Sequence, residues 1–158
     1  ESGVPGLQTT FQDGIETNGA SVYPPHITSA TNVAGYMSWG AHSRLGNQFA
    51  TNASVQWLGA SRWWIVETVE SYNGQRDNPN TGQSNFLEWF SANAFGGTSY
   101  FNTPVGAVTH VDEPGLDNVN KADVYFGLWA RGKCFGSAAW NSRVTPAFQA
   151  VGDRFITR

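Results

Sequence analysis

Short apolar runs separated by polar turns dominate the pattern of this chain, and the clearest run is residues 105–111. The run is rich in β-branched residues and lies between Pro104 and the polar segment Asp112-Glu113-Pro114. A continuous apolar run of this length, bounded by turn signals, predicts a fully buried strand. Buried strands of this kind belong to sheets that are covered on both faces, most often parallel sheets.

Other apolar runs predict further strands, at residues 34–39, 54–58 and 148–151. Residues 63–72 are ambiguous. Their apolar start fits a buried strand, whereas Glu67 and Glu70, three positions apart, fit an exposed helical face. We predict a helix for the middle of that segment.

Helical spacing marks other parts of the chain. A helix over residues 85–94, capped by Ser84, is predicted from three aromatic residues spaced i, i+3 and i+4. Two more helices are predicted, one over residues 124–130 after the cap residue Asp123 and one over residues 134–140.

Strands that alternate with helices predict an α/β fold, in which a mainly parallel sheet is layered between helices. Residues 1–34 lack a regular period and are interrupted by glycines and prolines, which predicts an irregular N-terminal arm. The remaining residues, 35–158, are then expected to form a single α/β domain, a length sufficient for its own core.

Composition narrows the classes of function. The formal net charge is −3 and only 13% of residues are charged, without a basic block, which argues against nucleic acid as a partner. No apolar run approaches the length of a membrane span. The aromatic content of 14% is common in secreted bacterial proteins and in glycan-binding modules, so we expect a secreted or cell-surface location. The single cysteine, Cys134, is expected to be a small buried residue.

Three residues with metal-binding side chains, His110, Asp112 and Glu113, occupy the carboxyl end of the predicted central strand and the positions just after it. Ligands of open α/β sheets bind beyond that end of the strands. An imidazole and two carboxylates could ligate a metal ion, with zinc and calcium as the candidates, and no other cofactor is predicted. The alternative is structural: His110 fills the end of the sheet, and the two acidic residues cap the following turn.

Aromatic residues supply a second candidate site. Trp63, Trp64 and Tyr72 could form a stacking platform for a glycan, because aromatic rings with polar handles suit partly wet sites. Trp63 and Trp64 are adjacent, so their side chains diverge and one of the two can face outward. The alternative is that they belong to the core, as we predict for Trp89 and Trp140.

Four sequence pieces follow one another in a recognisable order: Trp39-Gly40-Ala41-His42, Ser71-Tyr72-Asn73-Gly74, Gly106-Ala107-Val108 and Gln149-Ala150-Val151-Gly152-Asp153. Together with the helices between them, they resemble the second half of the gingipain-like, caspase-fold cysteine peptidases and related secreted bacterial proteins. The resemblance covers residues 34–156. It implies a peptidase-like fold in which His42 lies in the catalytic histidine turn and Ser71 stands where the nucleophilic cysteine is expected.

The candidate catalytic set is Ser71 as nucleophile, His42 as base and Asp112 as orienting acid, with Glu70 as the alternative acid. The alternative is that Ser71 only turns the chain before Asn73-Gly74. Because the cysteine is missing, we predict a non-catalytic peptidase-like domain, a binding or structural part of an extracellular protein or assembly that contacts other domains or subunits. Two other hypotheses stay open: a serine- or metal-dependent hydrolase at the strand ends, and a carbohydrate-binding module that uses an exposed tryptophan.

Overall fold

The computed structural model describes residues 5–10, 15–17, 20–22, 27, 29–39, 55–59, 61–77 and 85–158. Within these ranges the strands are β1 (Ile15–Thr17), β2 (Ala20–Val22), β3 (Ser29–Ala30), β4 (Gly35–Trp39), β5 (Gln56–Trp57), β6 (Ile65–Val69), β7 (Gly106–His110) and β8 (Phe148–Gly152). The α-helices are α1 (Phe86–Trp89), α2 (Ala122–Ala130) and α3 (Phe135–Ser142), and 3-10 turns span Ala94–Gly96 and Leu116–Asn118. No helix in these ranges is long and apolar enough to cross a membrane.

The central sheet has four strands in the order β4-β6-β7-β8. Strands β4, β6 and β7 are parallel, and β8 is antiparallel to β7. Every residue of β6 and β7 is buried, because each of these strands is paired on both sides and covered on both faces. The predicted buried central strand and the mixed α/β fold with mostly parallel strands are therefore confirmed.

The segment 63–72 forms a strand at its centre, so the helix predicted there is wrong. Glu67 is fully buried, and Glu70 is buried as well, although their spacing suggested an exposed helical face. The residues between Ile65 and Val69 are mostly β-branched and pair with two parallel neighbours. That pairing involves distant parts of the chain, so no local periodicity can reveal it.

Alternation along β6 sends Val66 to one face of the sheet and Ile65 to the other. On the Ile65 face, helices α2 and α3 contribute buried side chains, among them Tyr125, Trp129 and Phe135. The Val66 face is covered by a layer rich in aromatic side chains: Tyr36, Trp57, Trp64, Phe86, Trp89 and Phe95. Three ring pairs within that layer have centroids 4.8 to 5.7 Å apart, and each such pair contributes about 0.5–1.5 kcal/mol beyond its burial.

Helix α1 spans only Phe86–Trp89, whereas the spacing predicted residues 85–94. Asn85 is the cap, because its side chain accepts a backbone N–H of the first turn at 2.9 Å. The predicted cap, Ser84, lies outside the described residues. The helix already ends at Trp89, with Phe90 as its C-terminal cap. The 3-10 turn that follows contains Phe95 in a left-handed backbone conformation with φ of 52°.

Helix α2 crosses the Ile65 face from the carboxyl ends of the strands back to their amino ends. It begins at Ala122, so Asp123 lies in the first turn and not at the predicted cap position. Near the end of the helix, the indole N–H of Trp129 donates to the carbonyl of Ala34 at 2.9 Å, just before β4.

Helix α3 spans Phe135–Ser142 and buries its alanines against the sheet. Trp140, predicted to be core, is 65% exposed, because it lies about 200° around the helix from the buried Ala138. Cys134 is half-buried and not fully buried as predicted. It occupies the cap position, where its sulfur lies 3.2 Å from the Ser137 hydroxyl oxygen. This hydroxyl can donate to the thiolate form, which lowers the pKa of Cys134.

The N-terminal arm contains strands, so the prediction that it is irregular is wrong for them. Strand β1 pairs with β2 in antiparallel orientation, and β3 pairs with β5 in parallel. The partner of β3 lies far along the chain, which is why the arm shows no local period. Strand β5 itself confirms the short strand predicted at residues 54–58.

Candidate functional site

The parallel strands give the central sheet two distinct ends. The turns that follow β6 and β7 lie together at the carboxyl end of the sheet, and the segments that precede β4 and β6 lie together at its amino end. The sequence-predicted candidates divide between them. Ser71, Tyr72, His110, Asp112 and Glu113 belong to the carboxyl end, whereas Trp63 belongs to the amino end.

At the carboxyl end, Asn73 ties the end of β6 to the end of β7. Its side-chain N–H groups donate to the Thr68 hydroxyl at 2.5 Å and to a Glu70 carboxylate oxygen at 3.3 Å. Its side-chain oxygen accepts from the backbone N–H of His110 at 3.1 Å. Because Asn73 is fully buried, these bonds satisfy polar groups that water cannot reach.

The next residue, Gly74, allows the turn to lie directly against the sheet. Its N–H donates to the His110 carbonyl at 2.9 Å. A β-carbon at this position would come within 2.5 Å of the Thr109 hydroxyl and 2.8 Å of the Gln149 side chain. Only glycine fits there, which explains the Asn-Gly pair that the sequence marks as a turn.

A side-chain hydrogen bond joins the turns that leave β6 and β7. The Ser71 hydroxyl donates to one carboxylate oxygen of Glu113 at 2.5 Å, and the other oxygen accepts from Gly115 N–H at 3.0 Å. These two bonds, the Ser71 bond first, lower the pKa of Glu113. The carboxylate therefore stays ionised at neutral pH and is a weak base toward the serine proton.

His110 points to the helix-covered face of the sheet and is fully buried. Neither ring nitrogen has a hydrogen bond of normal geometry within the described part of the chain. Burial lowers the pKa of the imidazole, while the Glu70 backbone and the Glu113 charge act in the opposite direction. A neutral imidazole thus lies close to Glu113, but it is not bonded to Ser71 in the described residues.

The predicted catalytic set is only partly described. His42 lies outside the described residues. The carboxylate of Asp112 accepts from the N–H of Glu113 at 2.8 Å, so it caps the turn as the alternative interpretation expected. Tyr72 lies beside it, and the pKa of Tyr72 is raised by loss of solvent and by the charges of Asp112 and Glu113.

The side chains of the three predicted metal ligands do not converge on one point. His110 is buried on the helix face, whereas Asp112 and Glu113 lie in an exposed turn. Over the described ranges, no group of three or more histidine, cysteine, aspartate or glutamate side chains is arranged to hold a metal ion. A zinc or calcium site stays a prediction from the sequence.

Sequence analysis missed the most unusual ionisable group, Glu67. It is fully buried, and neither carboxylate oxygen has a hydrogen-bond partner in the described residues. Burial raises the pKa of Glu67 to about 8, so the group is mostly protonated at neutral pH. The signal was available: if residues 65–69 are taken as a strand, alternation puts Glu67 on the same face as Ile65.

At the amino end, Trp63 is 52% exposed while Trp64 is fully buried, which confirms that one of the two faces outward. Trp64 cannot stack on a ligand, because its indole N–H donates to the Asn102 carbonyl inside the core at 3.0 Å. Tyr72 lies at the opposite end of the sheet. The three predicted glycan-binding residues therefore do not lie together, and a glycan-binding role for Trp63 stays a prediction.

An open depression of about 400 Å³ surrounds Trp63. Its lining, which we call the amino-end surface, consists of Asn32, Val33, Ala34, Arg62, Trp63 and Arg158. The backbone at Trp63 is left-handed, with φ of 62°. Non-glycine residues rarely adopt this conformation, and the surrounding structure must hold it in place.

Asn102 holds the segment that carries Trp63. Its side-chain oxygen accepts from Ser61 N–H at 2.8 Å, and its side-chain N–H donates to the Phe95 carbonyl at 3.1 Å. The Ser61 hydroxyl in turn accepts from Val33 N–H at 3.2 Å. Trp63 is therefore presented to solvent from a fixed segment, although the residue that fixes it lies far along the chain.

Comparisons of the chain with protein-family models, with curated proteins and with solved structures each found no match. The class that the fold defines is a mixed α/β protein with mostly parallel strands and two contrasting sheet ends. The resemblance to gingipain-like peptidases stays a prediction carried by the order of the sequence pieces.

Proposed function

We propose that the protein is a non-catalytic, peptidase-like domain of an extracellular protein or assembly, and that it binds carbohydrate through the amino-end surface. The observation that carries the proposal is Trp63: a half-exposed indole held by a fixed segment at the edge of an open depression. The peptidase-like part of the proposal is supported by the order of the sequence pieces. The extracellular part is supported by composition.

The absence of catalysis is supported by the contacts of Ser71. Its hydroxyl donates to Glu113, whose lowered pKa makes it a poor acceptor for the proton itself. A serine nucleophile needs a base that takes its proton, and that base must be oriented by a third group. The nearby imidazole of His110 is buried on the helix face, where it has no hydrogen bond to Ser71.

Carbohydrate binding is supported by the composition of the amino-end surface. The apolar face of a sugar ring packs on an indole, while its hydroxyl groups need hydrogen-bonding partners close by. Asn32 and Arg62 supply such groups beside Trp63. Because the Trp63 backbone is already fixed, little conformational entropy is lost when a ligand binds.

The test compares Trp63→Ala with Trp140→Ala in binding to soluble polysaccharides, measured by tryptophan fluorescence and calorimetry. Trp140 is a matched control, because it is 65% exposed and lies on helix α3. A tryptophan anchor contributes about 2 kcal/mol or more, so Trp63→Ala should weaken binding roughly 30-fold. Trp140→Ala should leave binding unchanged. Equal losses in both variants, or no binding of any polymer by the wild type, would contradict the proposal.

A second candidate function is hydrolysis at the carboxyl end of the sheet. One specific observation supports it. Ser71 and Glu113 are hydrogen-bonded there, and His110 lies close enough to feel the Glu113 charge. Labelling with a fluorophosphonate tests this hypothesis. A label on Ser71 that is lost in Ser71→Ala would favour the hydrolase, whereas an unlabelled wild type would favour the binding domain.

A further inference from the structure

We infer that the ligand of the amino-end surface is an anionic glycan whose sugar rings carry carboxylate groups, an inference that rests on the proposed function. The described residues that line this surface include two arginines and one asparagine, and none of them is acidic. The chain as a whole has 12 acidic and 9 basic residues and a net charge of −3. The charge of this surface is therefore opposite to that of the molecule.

Arg62 is the candidate carboxylate partner on this surface. Its guanidinium lies over the ring of Phe101, with the central carbon 4.5 Å from the ring centroid. A cation over an aromatic ring is attracted by the electrons of the ring face, and the guanidinium carries five N–H donors, which this contact leaves available to other partners. Those N–H groups can form the paired hydrogen bonds that arginine makes with carboxylates. The stacking also limits the rotation of the side chain, so less entropy is lost on binding.

The number of charges favours a ligand that places only one or two carboxylates on the surface. Two arginines line the surface, whereas nucleic acids and heavily sulfated glycans place many charges within a short length. The negative net charge of the molecule would repel such dense polyanions. A uronic acid polymer carries one carboxylate on each acidic ring. One ring can pack on Trp63 while its carboxylate meets Arg62, so a single sugar unit uses both parts of the surface.

The experiment uses three pairs of oligosaccharides: galacturonate, glucuronate and mannuronate oligomers, each with its fully methyl-esterified form. The members of a pair have the same rings and differ in charge. Binding is measured by calorimetry and tryptophan fluorescence with the whole chain. At least one acid should bind ten or more times tighter than its ester. Arg62→Gln should reduce binding of the acid to the level of the ester while leaving the ester unaffected.

Arg143→Gln is the matched control. Arg143 stacks on the exposed Trp140 with the same 4.5 Å separation, and its removal changes the net charge by the same amount. It should leave the acid-to-ester ratio unchanged. A loss equal to that of Arg62→Gln would mean that overall charge decides binding, which would overturn the inference. Raising the salt concentration about tenfold should weaken binding of the acid and not of the ester.

The remaining outcomes separate this inference from the proposed function. Equal binding of acid and ester, with loss in Trp63→Ala, would keep the glycan-binding function and overturn the preference for anionic sugars. Failure of all three acids and all three esters to bind would overturn both. A further outcome is that the acids bind Trp63→Ala as well as the wild type and fail to bind Arg62→Gln. That result would support the carboxylate contact with Arg62 and contradict stacking on Trp63.

Discussion

The two ends of the central sheet place their polar groups in opposite ways. At the carboxyl end, polar side chains bond to one another: Asn73 joins Thr68, Glu70 and the backbone of His110. At the amino end, the polar and aromatic groups of Arg62 and Trp63 face outward around an open depression.

The difference between the two sheet ends distinguishes residues that stabilise the fold from residues that are available to a ligand. A group whose hydrogen bonds are made inside the protein contributes to the folded state and has little left for a ligand. A group that faces solvent contributes little to folding and can contribute to recognition. Ligands of open α/β sheets usually bind at the carboxyl ends of the strands. Here the described turns after β6 and β7 are joined to each other by their own side chains, so we look for the candidate surface at the amino end.

The largest expected effect on the free energy of unfolding comes from replacing Asn73. Replacing it by alanine leaves the buried His110 N–H without its acceptor. It also removes one bond from the Glu70 carboxylate and one from the Thr68 hydroxyl, which still donates to Glu70 at 3.0 Å. A buried unsatisfied group costs about 1–3 kcal/mol and each of the two lost bonds about 1 kcal/mol, so Asn73→Ala should lower the free energy of unfolding by roughly 4 kcal/mol. Urea denaturation measures the change.

The control for this prediction is Asn141→Ala. Asn141 is exposed and donates to the Ser137 carbonyl at 2.8 Å within helix α3. Its loss should cost less than about 1 kcal/mol, because water replaces the bond. If both variants lost the same stability, the network around Asn73 would not be what closes the carboxyl end.

The second largest expected effect is that Glu67 makes the free energy of unfolding depend on pH. Its pKa is about 8 in the folded protein and close to 4.5 in the unfolded chain. Below about 4.5 the group is protonated in both states, so burial carries no ionisation penalty. Between about 4.5 and 8 the unfolded chain releases the proton and the folded protein keeps it, so the free energy of unfolding falls as pH rises. By pH 7 the loss is on the order of 3 kcal/mol.

Glu67→Gln should remove this pH dependence, so the difference in stability between variant and wild type should change steadily between pH 5 and 8. Glu88→Gln is the control, since Glu88 is only half-buried and its pKa is raised less. A flat difference for Glu67→Gln across that range would show that the carboxylate finds compensation inside the folded protein.

The same residue shows how far the sequence predicts the fold. The buried strand at residues 105–111 is predictable, because an unbroken apolar run between turn residues has few other interpretations. The strand around Glu67 is not, because a buried carboxylate breaks the pattern from which a strand is recognised. Burial of Glu67 follows from the packing of β6 between β4 and β7, and pairing of distant segments is absent from local periodicity.

The candidate sites follow the same rule. The divergence of adjacent tryptophans is a local property, and it predicted that one of the pair faces outward. Which one faces outward depends on Asn102, whose carbonyl accepts from the Trp64 indole. Likewise, Ser71 and Glu113 meet only because parallel strands end together. Local spacing predicts candidates, whereas tertiary packing decides which of them share a site.

The smallest expected effect on stability comes from removing the hydrogen bond between Ser71 and Glu113. This prediction tests whether Ser71 has a structural role or is available as a nucleophile. The bond lies at the surface, where solvent screens its charge, so Ser71→Ala should cost less than about 1 kcal/mol. The loss should shrink as pH falls through the pKa of Glu113, because a protonated carboxyl no longer accepts a charge-assisted bond. The pKa of Glu113 itself should rise toward its usual value, since the Ser71 bond is the first cause of its depression. Titration of the Glu113 carboxyl by NMR measures the shift, with Ser137→Ala as a distant control that should not move it. An unchanged Glu113 pKa in Ser71→Ala would mean that the serine proton is not committed to this carboxylate, and the hydrolase hypothesis would then gain over the binding domain.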